Sequence, residues 1–378
     1  MKPILAIPAI SLLVYRAWSR KSLTPLGLIA AALTAVAHAV HPWSAPFALL
    51  VVFYIGGTKA TKVKHDIKAR KTLSATGSGG GDGQRNHIQV LANSIVASVL
   101  ILWHTWILKS SGDDGFSLGR MTPIADVVAV GIVAYGPIPY LWIIYVLTLS
   151  THSNYAAVAA DTYSSELGIL SKSPPRLITS LSLRVVPPGT NGGVTAKGLQ
   201  AGALGAFTVA VTSAVLLPFR LPGSDELYVK ERLLWVLAVT GWGALGSLLD
   251  SVLGGLLQAS VVDKRTGKVV EGTGGRKVLI HPSSSLPGGT SEASSGLQGS
   301  SENLRLRQTE TLANTATLRG SRATQSSVGE SAGRAHDEEH ESRRVESGRD
   351  WLDNNGVNML MAVLMSLGGM GVASLLWI

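Results

Sequence analysis

The sequence predicts an all-α fold: a polytopic transmembrane helical bundle of about seven or eight spans with one disordered cytosolic loop. Three observations carry this. Of the 378 residues 46% are hydrophobic and only 15% are charged, well below the share a water-facing globular surface carries. The apolar residues gather in runs approaching the ~20 residues a helix needs to cross the hydrocarbon core. The basic residues collect in particular loops, as cytoplasmic loops do. The net charge of +9 follows from that bias, and nucleic acid need not be invoked. With no cysteine, disulfides and thiolate metal sites are excluded.

Taken in order, spans fall near 3–15, 23–41, 44–57, 88–108, 122–149, 198–219, 233–259 and 355–377. The first has no small-residue cleavage site and reads as retained. The third is short, and the fifth is broken by GPIP at 136–139, so 122–160 could be two elements. The stretch TKATKVKHDIKARK at 58–71 carries six Lys/Arg and one acid. With Arg16, Arg20 and Lys21 it fixes the cytosolic side. The nearly neutral loops 109–121 and 220–232 then face outward, and 150–197 and 260–354 face the cytosol.

Three regions follow: 1–280 as transmembrane domain, 281–346 as linker, and 347–378 as a final motif and helix. The linker is rich in Ser and Gly, and no Phe, Trp or Tyr occurs between Trp242 and Trp351. Such a chain cannot bury enough apolar surface to offset its ordering entropy. The run GKVVEGTGGRKVLI at 267–280 predicts a small hairpin turning at glycines 272–275.

Five polar clusters fall on the cytosolic side: 79–93, 159–168, 174–198, 246–260 and 350–360. Asp250 is the most informative, because an ionised carboxylate deep in a bilayer costs roughly 2.5–3.5 kcal/mol even on the lenient scale. It must face a polar cavity, pair with a base, bind a metal or be neutral; an interhelical packing bond is the plain alternative. Gln258 lies two turns along the same helical face. Asp161 and Glu166, five apart, need not share a ligand, and capping is their ordinary role. Asp353 could cap the last helix, while Asn354 and Asn358 share one face. Carboxylate and amide oxygens suit Mg²⁺ rather than zinc or copper. The histidines lack ligand spacing.

Within PPGTNGGV at 187–194, Gly189, Gly192 and Gly193 permit positive φ, so with Thr190 and Asn191 the loop's N–H groups can form an anion-binding concavity. A helix N-terminus follows, and Arg176 and Arg184 flank the loop. It is not a Walker A loop, since the Gly-Lys-Ser/Thr ending is absent. A plain turn before a helix is the other reading.

Together, ADTYSSELG, VPPGTNGGVT, GSLLDSVLGGLLQ, WLDNNGVN and GGGDGQRNHIQVLAN resemble the transmembrane protein 19 family, the integral-membrane domain of unknown function 92. The resemblance covers roughly 45–280 and 350–378. Two departures stand out: Ala160, Tyr163 and Ser164 stand where the family usually has Gly, Trp and Ala in Gly-Asp-Thr-Trp-Ala-Ser-Glu, and 281–346 looks like an insertion. The family includes plant phytyl-phosphate kinases, so the resemblance implies a kinase acting on an isoprenoid lipid phosphate with Mg²⁺ and a nucleoside triphosphate, CTP or ATP. Asp161, Glu166 and Asp250 would then be catalytic, and Asp161, Asp250 and Asp353 would hold the metal. Lys62, Lys64, Arg85, Arg176 and the loop Gly189, Thr190, Asn191, Gly192 and Gly193 would bind phosphate. Gln84, Asn86, Gln258, Asn354 and Asn358 would line the site. The alternatives are a carrier for an anionic lipid or metabolite and a non-catalytic membrane protein. An intracellular membrane, by default the endoplasmic reticulum, is the expected location.

Overall fold

The computed structural model describes residues 1–75, 83–110, 139–217, 229–278 and 343–377. The neutral loop 111–121, the GPIP break up to residue 138, residues 218–228 of the second neutral loop and the linker from 279 to 342 lie outside the described residues. The chain is mainly helical. Helices α1 (Pro3–Ser19), α2 (Pro25–Ala39) and α3 (Ala45–Lys62) each begin with proline in the first two positions, where its missing N–H costs nothing. A sharp turn at Lys64, whose φ is +48°, leads into the short α4 (His65–Ala69).

The expected span at 88–108 is two helices, α5 (His87–Ala92) and α6 (Ile95–Ser110). The Asn93 side chain donates to the Gln89 carbonyl and Ser94 Oγ to the Val90 carbonyl, offering the backbone partners that compete with helix continuation. The expected span ending at 149 instead runs on as α7 (Pro139–Gly168). Its polar stretch 150–154, expected in a loop, is helical and buried in the bundle. Ser150 Oγ donates to the Ser366 carbonyl, Asn154 Nδ2 to Ser366 Oγ, and Tyr155 bonds His38.

Helices α8 (Ala196–Leu216), α9 (Val229–Leu257) and α10 (Asn354–Trp377) complete the described bundle. Through Leu375, these three are long and apolar enough to cross a membrane; α1, α2 and α6 are shorter apolar helices. Large side chains point outward along them, among them Leu12, Ile29, Leu33, Leu204 and Leu237. An aqueous surface would disfavour that arrangement, and a lipid one does not.

The core is built around α7 by close backbone approach. A Cβ on Gly205 would meet the Ala159 carbonyl at 2.6 Å, one on Gly243 the Ala156 carbonyl at 2.7 Å, and one on Gly246 the Ala157 Cβ at 2.4 Å. Small residues let helices approach where no hydrophobic gradient drives them together. Facing residues on α7 and α9 rise in number together, so these two helices run parallel; α8 and α10 run antiparallel to α7.

The fold is not purely helical. A four-stranded sheet lies at one end in the order β1 (Leu73–Ser74), β5 (Val269–Glu271), β4 (Ser260–Asp263), β6 (Arg343–Ser347). Strands β1 and β5 are parallel; the other pairs are antiparallel. The predicted hairpin forms one step earlier than expected. Its turn follows Asp263, whose carboxylate accepts from Thr266 N–H and Oγ, with Gly267 at φ +68°. Glycines 274 and 275 instead make a short turn against α10, where Asn355 Nδ2 donates to the Gly274 carbonyl. Residues 343–346, which composition assigns to the linker, are part of β6. Strand pairing with β4 and an Arg184–Glu346 ion pair at 2.7 Å hold them. A two-stranded ribbon, β2 (Arg176–Leu177) with β3 (Gly193–Val194), precedes α8.

Candidate functional site

One cavity of about 380 Å³ lies where α7, α8, α9 and α10 meet the sheet, and residues of all five polar clusters line it. The parallel packing of α7 and α9 accounts for its centre. From the contact of Ala157 with Gly246, one turn forward on α7 reaches Asp161 and one turn forward on α9 reaches Asp250. The two carboxyls come within hydrogen-bonding reach of each other. Asp250 Oδ1 is buried and has no partner among the described residues. Two carboxyls this close need a proton or a cation between them to relieve their repulsion.

Glu166 stands apart in role. Its Oε2 lies 2.7 Å from Lys68 Nζ, its Oε1 accepts from Thr61 Oγ1 at 2.8 Å, and Arg85 is 3.6 Å away. Arg85 also donates to Thr61 Oγ1 at 2.8 Å. Lys68 is buried because the Lys64 turn folds α4 back on α3, letting its ammonium reach the Ala60 and Thr61 carbonyls as well. Glu166, expected to be catalytic, is thus held in a cluster with Lys68, Arg85 and Thr61 rather than beside the other two carboxyls.

The loop is a real turn, with Gly189 at φ +90° and Gly192 at φ +78°; Gly193 has no positive φ. Three of its N–H groups are already used: Thr190 donates to the Pro187 carbonyl, Asn191 to Ser260 Oγ of β4, and Gly193 to the Thr190 carbonyl. The anion-binding concavity expected over 189–193 therefore reduces to the N–H groups of Gly189 and Gly192. The α8 N-terminus, capped by Thr195, lines the same cavity and adds its partial positive charge.

Of the remaining expected residues, Gln258, Asn354 and Asn358 line the cavity, as does Asn355. Asp353 does not: its Oδ1 accepts the Gly356 N–H at 2.8 Å and caps α10. Among the described residues no group of three acidic, His or Cys side chains gathers, so the metal triad Asp161–Asp250–Asp353 does not form. Asn86 is spent in a capping box with Gln89. Arg176 and Arg184 point elsewhere, to the Leu183 carbonyl and to Glu346. Lys64 is an exposed turn residue, and Lys62 and Gln84 line a different cavity. Reading the sequence alone misses Lys68, Lys71, Arg276 and Lys277, all lining the polar cavity. Their signal was only membership of basic runs, which does not separate Lys68 from Lys62.

That second cavity, about 490 Å³, lies among α1, α2, α3 and α5, with apolar walls such as Leu13, Leu28, Ala31 and Phe53. It shares Thr61, His65, Arg85, Gln89 and Asn93 with the polar one.

The model of the integral membrane protein DUF92 family matches residues 8–366. The chain belongs to that family. A plant member, Protein PGR of Arabidopsis thaliana, is 34% identical over 277 residues, covering 71% of this chain and 83% of its own. An uncharacterized membrane protein of Methanocaldococcus jannaschii is 38% identical over 133 residues, covering 34% of this chain and half of its own length. No solved structure matches the chain. As a DUF92 member the chain is an integral membrane protein, in keeping with its outward-facing apolar helices.

Proposed function

We propose that this DUF92 protein is a membrane-embedded kinase that transfers a phosphoryl group from a nucleoside triphosphate, CTP or ATP, to an isoprenoid lipid monophosphate. The observation that carries the reading is the Asp161–Asp250 pair, with its unpartnered buried oxygen, inside a polar cavity that adjoins an apolar one. The donor set fits Mg²⁺: two carboxylates with amide oxygens nearby and room for phosphate ligands. Asp161 and Asp250 would hold it, and when bound it neutralises charge on the nucleotide phosphates. The Gly189 and Gly192 N–H groups and the α8 N-terminus would cradle the donor phosphates. Arg85 would supply positive charge around the acceptor, and the Lys71 ammonium, held by the Ile169 and Ser171 carbonyls, would add to it only from the cavity wall. The acceptor is already an anion, so its phosphate oxygen attacks the γ-phosphorus as the bond to the departing nucleoside diphosphate breaks, and no strong base is needed. The complete bundle, in this reading, has seven or eight spans, and the default location is the endoplasmic reticulum.

The test is phosphoryl transfer by detergent-solubilised protein with Mg²⁺, prenyl monophosphates and labelled CTP or ATP, beside Asp161→Asn. Lipid diphosphate from the wild type and none from the variant is expected. No product with any donor would overturn the kinase and favour a carrier of the same anionic lipid.

A further inference from the structure

Arg85 occupies an unusual position. Its backbone is tied to the α1–α2 connection: Arg85 N donates to the Ser22 carbonyl at 3.1 Å and Thr24 N to the Arg85 carbonyl at 3.0 Å. Gly27 permits that approach, since a Cβ there would stand 2.8 Å from the Arg85 carbonyl. The side chain reaches Thr61 and Glu166 at the edge of the polar cavity. Arg85 is therefore pinned to the wall of one cavity while its charge serves the other.

The cavity on its backbone side is apolar within and basic at its rim, where Arg20, Lys21 and Lys62 lie. Its size falls in the range of ~300–1,000 Å³ typical of small-ligand sites. An apolar slot with cationic groups only at its mouth matches a molecule with one hydrocarbon tail and an anionic head. Zwitterionic and neutral lipids leave the basic rim unmatched, and a two-chain lipid brings twice the hydrocarbon to a single slot.

We propose, resting on the kinase reading above, that the cavity among α1, α2, α3 and α5 seats the hydrocarbon tail of a single-chain lipid monophosphate. Arg85 holds its phosphate where the two cavities meet, facing Asp161 and Asp250. The depth between Arg85 and the far apolar wall, set by Ala31 of α2 and Leu50 of α3, selects tail length.

The test is equilibrium binding, without nucleotide, of geranyl, farnesyl and geranylgeranyl monophosphate to the full detergent-solubilised chain. Ala31→Phe and Leu50→Trp shorten the slot and are expected to weaken geranylgeranyl phosphate about tenfold or more while sparing geranyl phosphate. Leu33→Trp, on the outward face of α2 at 66% exposure, is expected to change neither and controls for the added bulk. Arg85→Gln should erase the preference for a prenyl phosphate over the free alcohol, with thermal unfolding confirming that each variant is folded. Folded Ala31→Phe and Leu50→Trp proteins with an unchanged chain-length ranking would overturn the tail site; so would dioleoyl phosphatidic acid binding as tightly as farnesyl phosphate. Phosphoryl transfer, measured separately, then decides the kinase reading on its own, since a kinase with its tail seat elsewhere still makes product.

Discussion

Asp250 and Lys68 are the charged side chains on which the site depends most, and they predict different failures. Asp250→Asn removes one charge from the carboxyl pair yet keeps a polar group of the same shape. The protein should still fold, while phosphoryl transfer falls on the order of a thousandfold, the scale of a single charge-stabilising group in this chemistry. Unchanged transfer would remove the pair from the reaction. Lys68→Met has the opposite profile, because it leaves Glu166 largely buried with Arg85 as its nearest cation. It should destabilise the protein by about 3 kcal/mol, read as a lowered unfolding temperature in detergent. The double variant Lys68→Met with Glu166→Gln should recover part of the loss, since no unpaired buried charge then remains.

At the level of elements, two glycines with nearly the same backbone angle separate strain from packing. Gly267 has φ +68° in the β4–β5 turn with open space where a methyl would stand, and Gly267→Ala should cost only about 1–2 kcal/mol of left-handed strain. Gly192 has φ +78°, and a Cβ there would sit 2.7 Å from the Gly255 Cα and 2.9 Å from the Ser251 carbonyl of α9. Gly192→Ala should therefore cost more than Gly267→Ala and also displace the loop from the cavity; equal unfolding shifts for the two would refute this packing role. Gly246→Val tests the α7–α9 contact in the same way. It wedges the helices apart one turn before Asp161 and Asp250, so activity should be lost even where protein is recovered folded.

For the whole molecule, the polar cavity, the basic α3–α4 turn and the sheet lie at one end, and the start of α3 at the other. Since the sequence contains no cysteine, single-cysteine labelling can read this directly. Lys64→Cys, Leu181→Cys and Arg265→Cys, all at exposed sites, should react with an impermeant thiol reagent from one side of sealed vesicles, and Ser44→Cys from the other. Labelling of Lys64→Cys and Arg265→Cys from opposite sides would refute the shared end. Deleting 285–335 should leave folding intact, whereas a deletion running through Ser347 should destabilise it, because β6 and the Arg184–Glu346 pair go with it.

The membrane class and the existence of most helices were legible in composition and hydropathy, because burial in lipid leaves a one-dimensional record of apolar runs. The chemistry of the site was legible as residue types: acids and amides in otherwise apolar stretches, and glycines before a helix. Partnership was not. Nothing in the spacing of Asp161 and Glu166 says that Asp161 turns to Asp250 while Glu166 turns to Lys68, since that depends on which helices pack in parallel and how closely their alanines and glycines let them approach. The same holds for Asp353, where a cap and a metal ligand look alike until the backbone places its oxygen on the Gly356 N–H. By itself the sequence determined that this is an apolar, helical membrane protein with polar clusters facing one side. Only the tertiary structure decided which of those groups meet, because contacts between helices far apart in the chain are set by backbone approach rather than by local pattern.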